Sequence, residues 1–363
     1  MSHIVFTVTN DLNYDQRMMR ICDSLFSNNY SITLVGVNST TPLHSKGYNQ
    51  KRLNCFFKKG FGFYAEYNIK LFFFLMFFKA DVFCCIDLDT IMPVYLTGKY
   101  RKKIMVYDAH EYFSQQKEII TRPPVFRIWN LIEKTFVPKF KNGYTVSDNI
   151  AIAFNHLYKV NYEVIKNATV LKELEHKLST PHEHIILYQG SVNEARGLEY
   201  LIPAMNKVEA ILHIYGDGNL KDKIIDLIRK DNLQHKVLMK GKLLPSALEK
   251  ITQEAYVGIN LVENIGLNQY YSLANKFFDY IHAGIPQVTM NFPEYKRIND
   301  KIQVAVLIDN VETETIAEAI NSLLYDFPKY KNFQSNCFVA KKLYNWQVEE
   351  KKLLSFYEKI TSN

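Results

Sequence analysis

The stretch SLANKFFDYIHAGIPQVTMNFPEY, from Ser272 to Tyr295, contains a polar loop, a helix and a strand in immediate succession. The pattern predicts a helix over residues 275–282, which Gly284-Ile285-Pro286 ends before the strand-like run IPQVTM. The N-terminus of such a helix presents free backbone N–H groups, so it is a favourable diphosphate site. Asp279 lies four residues after Asn275 and therefore on the same helix face, where its carboxylate can accept hydrogen bonds from ligand hydroxyls.

The same alternation of strand and helix continues in both directions along the chain, which is typical of parallel β-α-β units. In the first half the candidate strands are HIVFTVT, SITLVGV, DVFCCID, KIMVYDA and NGYTVS, and helices are expected over residues 15–26, 64–78 and 125–139. In the second half the candidate strands are HIILYQG, EAILHIYG, KVLMKG, AYVGINL, IPQVTM and VAVLID. Further helices are expected there over residues 198–206, 220–231, 245–253 and 312–325, and a last amphipathic helix is expected in WQVEEKKLLSFYEKI.

A chain of 363 residues exceeds what one hydrophobic core usually serves, so two domains are expected. The polar segment 172–183, which carries Pro181, marks the boundary between them. We therefore predict an α/β protein of two doubly wound Rossmann-like domains, residues 1–172 and 173–340, with ligand in the cleft between them. Residues 341–363 are expected to form a helix that packs back towards the N-terminal domain.

Two other segments of the second half have the composition of ligand-binding turns. In YQGSVNEARGLEYLIPAM a strand ends at Gly190, and Arg196 stands at the start of a helix, where a guanidinium is well suited to neutralise a diphosphate. In HIYGDGNLKDKI, Gly216-Asp217-Gly218 joins a strand to a helix, a weak signal when taken alone.

These segments together resemble the retaining glycosyltransferases of family 4, glycosyl transferases group 1, which have the two-domain GT-B fold with a central cleft. The resemblance implies that the C-terminal domain binds a nucleotide-sugar donor, a UDP- or GDP-sugar, with no cofactor required. Arg196 and Lys276 would stabilise the leaving diphosphate and Asp279 would hold the donor. The other donor contacts implied are Gly190, Gly216, Asp217, Gly241, Leu243, Leu244, Tyr271, Ser272, Leu273, Ala274 and Asn275.

The chain departs from the family pattern at three positions within these segments. Asp279 stands where the family has its second Glu, and Tyr271 stands where the family has its first Glu, which contacts the transferred sugar. Ser191 replaces the first basic residue of the family's phosphate motif, so Arg196 would act with Lys276 or alone.

The first half resembles the family more loosely. Its acceptor-side candidates are Thr9, Asn10 and Asp11 after the first strand, and Asp108 and Glu111 in YDAHEYFSQ, where the family resemblance also gives His110 a role at the reacting sugar. Asp15 and Arg17 are expected to cap and brace the first helix. Asp87 and Asp89 are interpreted as local caps of the following helix, and the sequence has no metal-binding constellation.

Charge is distributed unequally between the two halves. The first 170 residues contain 21 Lys and Arg against 13 Asp and Glu, whereas the remainder contains 23 against 24. This asymmetry favours an anionic membrane face or a phosphate-bearing acceptor, although a solvated basic surface would also account for it. Nucleic acid is not expected as a partner because no zinc knuckle, helix-turn-helix or RNA-binding signature is present.

The basic aromatic stretch of the first half is a candidate membrane contact. Its basic residues are Lys51, Arg52, Lys58, Lys59 and Lys70, beside Phe56, Phe57, Phe61 and Phe63. The following run at residues 71–78 is apolar all round, so it is expected to be a buried helix, and it is far shorter than the roughly 20 residues of a membrane span.

MSHIVFTVTN is interpreted as a strand rather than a secretory signal, and the five cysteines show no disulfide or CxxC pattern. The expected location is cytoplasmic, with peripheral attachment to the inner membrane face as an option.

The resemblance implies a retaining transfer of a sugar to a glycan or lipid-linked acceptor, in cell-surface polysaccharide synthesis. Two alternatives remain open at this point. One is a sugar-nucleotide epimerase of the same fold, and the other is a non-catalytic module that binds a nucleotide sugar, which Tyr271 would permit.

Overall fold

The computed structural model describes residues 1–39, 41–172 and 184–362. Their contacts define two units. The first unit contains the described residues within Met1–Lys166, Gly266–Asn268 and Glu349–Asn363, and the second contains those within Asn167–Ile265 and Gln269–Val348. Of the boundary predicted over 172–183, all but Lys172 lies outside the described residues.

A parallel seven-stranded sheet forms the centre of the first unit. Its strands, in chain order, are β1 (His3–Thr7), β2 (Ser31–Val37), β3 (Asn49–Leu53), β4 (Val82–Ile86), β5 (Ile104–Ala109), β6 (Asn142–Thr145) and β7 (Glu163–Val164). The spatial order is β3-β2-β1-β4-β5-β6-β7, so the direction of the strand order reverses between β1 and β4. Val5 of β1 is aligned with Thr33 of β2 and with Phe83 of β4. Loops at such a switch point are the usual place for a ligand in a doubly wound sheet.

The helices that begin in this unit are α1 (Gln16–Ser27), α2 (Gly60–Phe77), α3 (Ile91–Arg101), α4 (Lys117–Ile120), α5 (Pro123–Phe136) and α6 (Asp148–Tyr158). The sequence predicted α1, α2 and α5 to within four residues at each end, but not α3, α4 or α6. Strand β3 was also missed, because NQKRL is polar and half-exposed rather than apolar.

Helix α2 corrects one expectation. The apolar run at residues 71–78 is not a fully buried helix: Leu71 and Leu75 are buried, but Phe73 is 57% exposed and Phe77 is 82% exposed. An apolar pattern on every face says nothing about which face meets the sheet, so periodicity could not separate the buried side from the exposed one.

The second unit contains a parallel six-stranded sheet with the same kind of topology. Its strands are β8 (Ile185–Gln189), β9 (Ile211–Tyr215), β10 (Val237–Gly241), β11 (Val257–Asn260), β12 (Gln287–Met290) and β13 (Ala305–Ile308), all six of which the sequence predicted. Their order is β10-β9-β8-β11-β12-β13, and the switch point lies between β8 and β11. Ile186 of β8 is aligned with Leu212 of β9 and with Val257 of β11.

The remaining helices are α7 (Leu198–Ala204), α8 (Lys221–Lys230), α9 (Pro245–Glu254), α10 (Leu267–Tyr270), α11 (Asn275–Ala283), α12 (Pro293–Asn299), α13 (Thr313–Tyr325), α14 (Phe327–Leu343) and α15 (Trp346–Thr361). From Glu349 onward α15 belongs to the first unit, where the Tyr357 and Tyr144 hydroxyls lie 3.2 Å apart. The two parallel doubly wound sheets confirm the predicted fold class. No helix within the described part of the chain is long and apolar enough to cross a membrane.

Candidate functional site

Helix α11 begins without a side-chain cap. Ala274 occupies the N-cap position, its side chain makes no capping hydrogen bond, and the first turn contains no acidic residue. The helix ends at Gly284, whose φ of +72° forms the C-terminal turn and where a Cβ would lie 2.7 Å from the Phe338 ring. An uncapped N-terminus keeps its partial positive charge and its N–H groups available to an anion.

One face of α11 is fixed by the segment just before the described gap. Asn167 Nδ2 donates to Asn275 Oδ1 at 2.5 Å, and Thr169 Oγ1 donates to Asp279 Oδ1 at 2.6 Å. Gln189 Nε2 donates to Asp279 Oδ2 at 3.1 Å, and Gln189 is itself held by Thr252. Asn275 and Asp279 therefore share a face, as predicted, and neutral donors orient the Asp279 carboxylate.

Two cationic residues, Lys276 and Arg196, influence each other at this helix terminus. Lys276 Nζ lies 4.1 Å from the centre of the Tyr188 ring. Burial and, to a smaller extent, the charge of Arg196 lower the pKa of Lys276 to about 7, while Asp279 acts in the opposite direction. Within the described part of the chain, no carboxylate forms an ion pair with Arg196 or Lys276. The pair therefore forms a positively charged position that can accept an anion.

The ends of β8, β9 and β10 form adjacent tight turns. Gly190 N donates to Tyr215 O at 3.0 Å, and Gly216 N donates to Gly241 O at 2.9 Å. A Cβ on Gly216 would lie 1.8 Å from Gly190 O, so only glycine fits there, and a Cβ on Gly190 would lie 3.5 Å from Lys276 Nζ. Asp217 Oδ1 accepts from Gly218 N at 3.0 Å and holds the next turn. Leu243 and Leu244 follow β10, and Leu244 is the N-cap residue of α9.

The loop before α11 is held by Tyr295. The Tyr295 hydroxyl accepts from Ala274 N at 3.1 Å and lies 3.3 Å from Ser272 Oγ. Leu273 is buried, whereas Tyr271 is half-buried and its ring contacts Tyr270.

The first unit concentrates carboxylates, not cations, at its switch point. Thr9 Oγ1 donates to Asp89 Oδ2, and Asp87 Oδ1 accepts from Glu111 N at 3.0 Å. Burial raises the pKa of Asp89 to about 7. Burial and the neighbouring Glu111 and Asp89 also raise the pKa of Asp87. The interpretation of Asp87 and Asp89 as local helix caps is therefore wrong, since Asp87 makes no cap and both connect to distant loops.

Asp108 also corrects an expectation. Instead of facing an acceptor, it is fully buried and accepts two hydrogen bonds from Arg17, from Nε at 3.1 Å and from Nη2 at 2.9 Å. Arg17 Nη1 donates in addition to Ile165 O. Asp15 caps α1 by accepting from Met18 N, as predicted.

The other acceptor-side candidates have different surroundings. Asp11 pairs with Arg52 at 2.8 Å, and Asn10 Nδ2 donates to Asp15 at 3.0 Å. His110 is half-buried directly after β5, and its ring makes no hydrogen bond to a described residue. Glu111 accepts from Gln116 and from Asn268. Asn268 lies 157 positions after Glu111, so no local pattern in the sequence predicts that contact. Among the described residues, no cluster of three or more His, Cys, Asp or Glu could hold a metal ion.

Comparison with known proteins finds a family that the second half of the chain resembles. Residues 172–338 match the family model of glycosyl transferases group 1. Within the curated proteins, the chain is 26% identical over 184 residues to an uncharacterized glycosyltransferase of Methanocaldococcus jannaschii. That alignment covers 48% of this chain and 45% of the relative, so the chain matches less than half of that relative's length. The range that the family model matches contains the motifs at Arg196, Gly216 and Asn275.

Solved structures show the same fold over the whole chain. Sucrose-phosphate synthase from Thermosynechococcus elongatus has a TM-score of 0.81 and 14% identity, with 100% of both chains covered. Anabaena HepE in complex with UDP-glucose has a TM-score of 0.77 and 12% identity, also with 100% of both chains covered. At these identities the likeness shows the fold alone, and the fold is GT-B.

Proposed function

We propose that this chain is a retaining glycosyltransferase that moves a sugar from a nucleotide-sugar donor to a glycan or lipid-linked acceptor. The observation that carries the proposal is the uncapped N-terminus of α11 beside Arg196 and the Lys276 ammonium. Three sources of positive charge at one position suit the diphosphate of a UDP- or GDP-sugar. The UDP-glucose complex of Anabaena HepE, which shares the fold, supports a donor of this kind.

Departure of the donor's diphosphate requires stabilisation of the negative charge that it gains, and it requires no nucleophile from the enzyme. In a retaining transfer on this fold the acceptor hydroxyl attacks the anomeric carbon from the side on which the diphosphate leaves. The C–O bond to the diphosphate breaks, the new glycosidic bond forms, and a diphosphate oxygen takes the proton. Arg196 and Lys276 stabilise the charge that develops on the leaving oxygens, and the enzyme supplies position and electrostatics.

The remaining donor contacts follow from the site. Asp279 is fixed by Thr169 and Gln189, and its remaining lone pairs can accept from ribose hydroxyls. Backbone at Gly190, Gly216 and Gly241 can approach the nucleotide closely because these turns carry no side chain. His110 would contact the reacting sugar, with Thr9 and Glu111 on the acceptor side.

Arg196→Ala tests the proposal. Loss of one group that stabilises developing charge costs about 3–4 kcal/mol, so turnover should fall by on the order of 10²–10³-fold while the fold is kept. Arg229→Ala is the matched control, because Arg229 is an exposed residue of the same unit that pairs with Asp226 at the surface. Near-normal kcat in a folded Arg196→Ala protein would contradict the assignment. With the wild type, a new epimer would indicate an epimerase, and tight binding without turnover would indicate a binding module.

The proposal includes attachment to an anionic membrane face through the basic aromatic stretch. Phe56 and Phe61 are 84% and 78% exposed, next to exposed Lys58 and Lys59. Arg52 no longer belongs to this surface, because it pairs with Asp11 and only 9% of its side chain is exposed. Salt-sensitive co-sedimentation with anionic vesicles should be lost on changing Lys51, Lys58 and Lys59 to Glu and kept in Arg52→Lys. A wild type that ignores such vesicles at low salt would exclude this attachment.

A further inference from the structure

A cavity of about 550 Å³ lies in the first unit between α2 and α5. Its walls are mainly apolar, and they include Met92, Phe113, Ile119, Val125, Ile128 and Trp129. The rings of Tyr64 and Phe113 both pack edge-on against Trp129, with centroids 5.2 and 4.8 Å away. This volume falls within the range of about 300–1,000 Å³ that small-molecule sites occupy.

The cavity is apolar in its walls but polar at one side. Asp89, which lies beyond β4 at the switch point of the sheet, lines it, and so does Asn68 of α2. Asn68 Nδ2 donates to Tyr64 O and to Asp89 O, both at 2.8 Å, whereas the buried Asn68 Oδ1 has no hydrogen-bond partner. A buried acceptor without a partner costs about 1–3 kcal/mol, and a ligand hydroxyl would satisfy it.

A cation completes the lining. Arg122, at the N-cap of α5, is exposed, and its Nε donates to Glu118 O. Its guanidinium makes no ion pair within the described part of the chain. A ligand that suits this cavity therefore has an apolar body and a hydroxyl-bearing end, and an anionic group beside Arg122 would be tolerated.

The volume of the cavity limits which ligands it can hold. At about 30 Å³ for each water-sized group, 550 Å³ takes about 18 non-hydrogen atoms. A helix of a partner protein measures about 10–12 Å across with its side chains, so this volume holds only about one turn of it. A single hydrocarbon chain of about ten carbons with the first atoms of a head group fits.

We propose that the α2–α5 cavity binds the apolar chain of an amphiphilic glycoside acceptor, with a hydroxyl of its sugar held by Asn68 and Asp89. This inference rests on the proposed function and selects, from the two acceptor classes named there, the one with an apolar anchor. Because Asp89 lies at the switch point of the sheet, the sugar would sit at the edge where a doubly wound sheet meets its ligand. The chain would cover the exposed faces of Phe61 and Ile128.

Trp129 gives a direct test of binding that needs no donor. Trp346 is the second tryptophan of the chain, so Trp346→Phe leaves Trp129 as the sole tryptophan reporter. Titration with decyl β-glucoside below its micelle concentration should shift Trp129 emission with saturation, whereas methyl β-glucoside should cause no shift. Ile128→Glu should weaken the binding of decyl β-glucoside at least tenfold. Leu131→Glu is the matched control on the same helix, because Leu131 is 67% exposed and does not line the cavity, and it should change the affinity less than twofold.

Transfer then tests the acceptor role. With a panel of decyl and methyl glycosides, kcat/KM should be at least tenfold higher for the decyl glycoside of the accepted sugar. Ile128→Glu should abolish that preference, whereas Leu131→Glu should keep it. Absence of a Trp129 shift, a shift that Ile128→Glu leaves unchanged, or equal kcat/KM for the two glycosides would overturn the inference. An enzyme that hydrolyses the donor and fails only these tests keeps the proposed function. A protein that binds decyl β-glucoside in the cavity but turns over no donor would count against the proposed function instead.

Discussion

The two sheets have the same topology around their switch points but opposite charge. In the first unit β1 lies between β2 and β4, and Asp87, Asp89 and Glu111 lie at the loops that follow. In the second unit β8 lies between β9 and β11, and Arg196 and Lys276 occupy the corresponding region. Strand order therefore determines where a ligand can bind, while the loop residues determine which ligand it can be.

Burial, assisted to a smaller extent by neighbouring like charges, perturbs one titratable group in each unit. Both groups are shifted towards the neutral form, Asp89 by a raised pKa and Lys276 by a lowered pKa. The sites differ in what would restore the charge. A bound diphosphate favours the charged ammonium of Lys276, whereas a hydroxyl-bearing ligand favours no additional charge at Asp89.

The largest effect on stability is expected at the buried Arg17–Asp108 ion pair of the first unit. Arg17→Ala would leave the buried Asp108 carboxylate without its bidentate partner, so the free energy of unfolding should fall by about 3–5 kcal/mol. Urea unfolding followed by circular dichroism measures the loss. Lys46→Ala removes the exposed pair with Asp23 and should cost less than about 1 kcal/mol. Equal losses in the two variants would contradict the structural role of the Arg17–Asp108 pair.

The next effect concerns Asp89. Its folded-state pKa of about 7 exceeds the ordinary value of 3.8, so between these values the folded state binds more protons than the unfolded state. The stability of the wild type should therefore fall as pH rises across this window, by on the order of 2–4 kcal/mol, with little further change above it from this group.

Asp89→Asn should remove that part of the fall, and Asp23→Asn, at an exposed site, should keep it. Unfolding in urea at several pH values within this window measures the difference between the variants. A pH profile of Asp89→Asn that coincides with the wild type would show that Asp89 does not titrate there.

The smallest effect concerns Lys276, the counterpart in the second unit. Above its pKa of about 7 the free ammonium loses its proton, whereas a bound diphosphate raises that pKa, so binding takes up a proton. The Kd for UDP or GDP should rise by up to tenfold for each pH unit above about 7, which corresponds to about 1.4 kcal/mol.

Lys276→Arg is the matched variant, since a guanidinium stays charged and should give an affinity that hardly changes over this range. Calorimetry in buffers of different ionisation enthalpy measures the proton uptake. The same pH dependence in wild type and Lys276→Arg would show that another group is responsible.

The second unit is the part of the molecule whose elements follow most directly from the sequence. All six strands and the start of α11 were predicted, because apolar runs of four to six residues bounded by glycine are a local signal. The family resemblance left open whether Arg196 acts with Lys276 or alone, and in the structure the charge of Arg196 contributes to the lowered pKa of Lys276. The roles of Thr169 and Gln189 at Asp279 were not predicted, since they lie 110 and 90 positions away from it.

In the first unit the local patterns were less informative. Asp87 and Asp89 have the spacing of helix caps, and only the approach of Thr9 and Glu111 from other loops gives them a different environment. Asp108 was expected at the acceptor, because its place at the end of a strand does not reveal that Arg17, 91 positions earlier, fills the space beside it.

The amino-acid sequence by itself determined the two β-α-β halves, the helix at Asn275 and the types of residue that a diphosphate needs. Those properties depend on residues that are close neighbours in the sequence, so the local order of residues determines them. Tertiary structure alone decided which titratable groups are crowded, which side of α2 is exposed and where a cavity remains between α2 and α5. Burial and long-range contacts set pKa values and cavities, and both arise only when segments distant in sequence pack together.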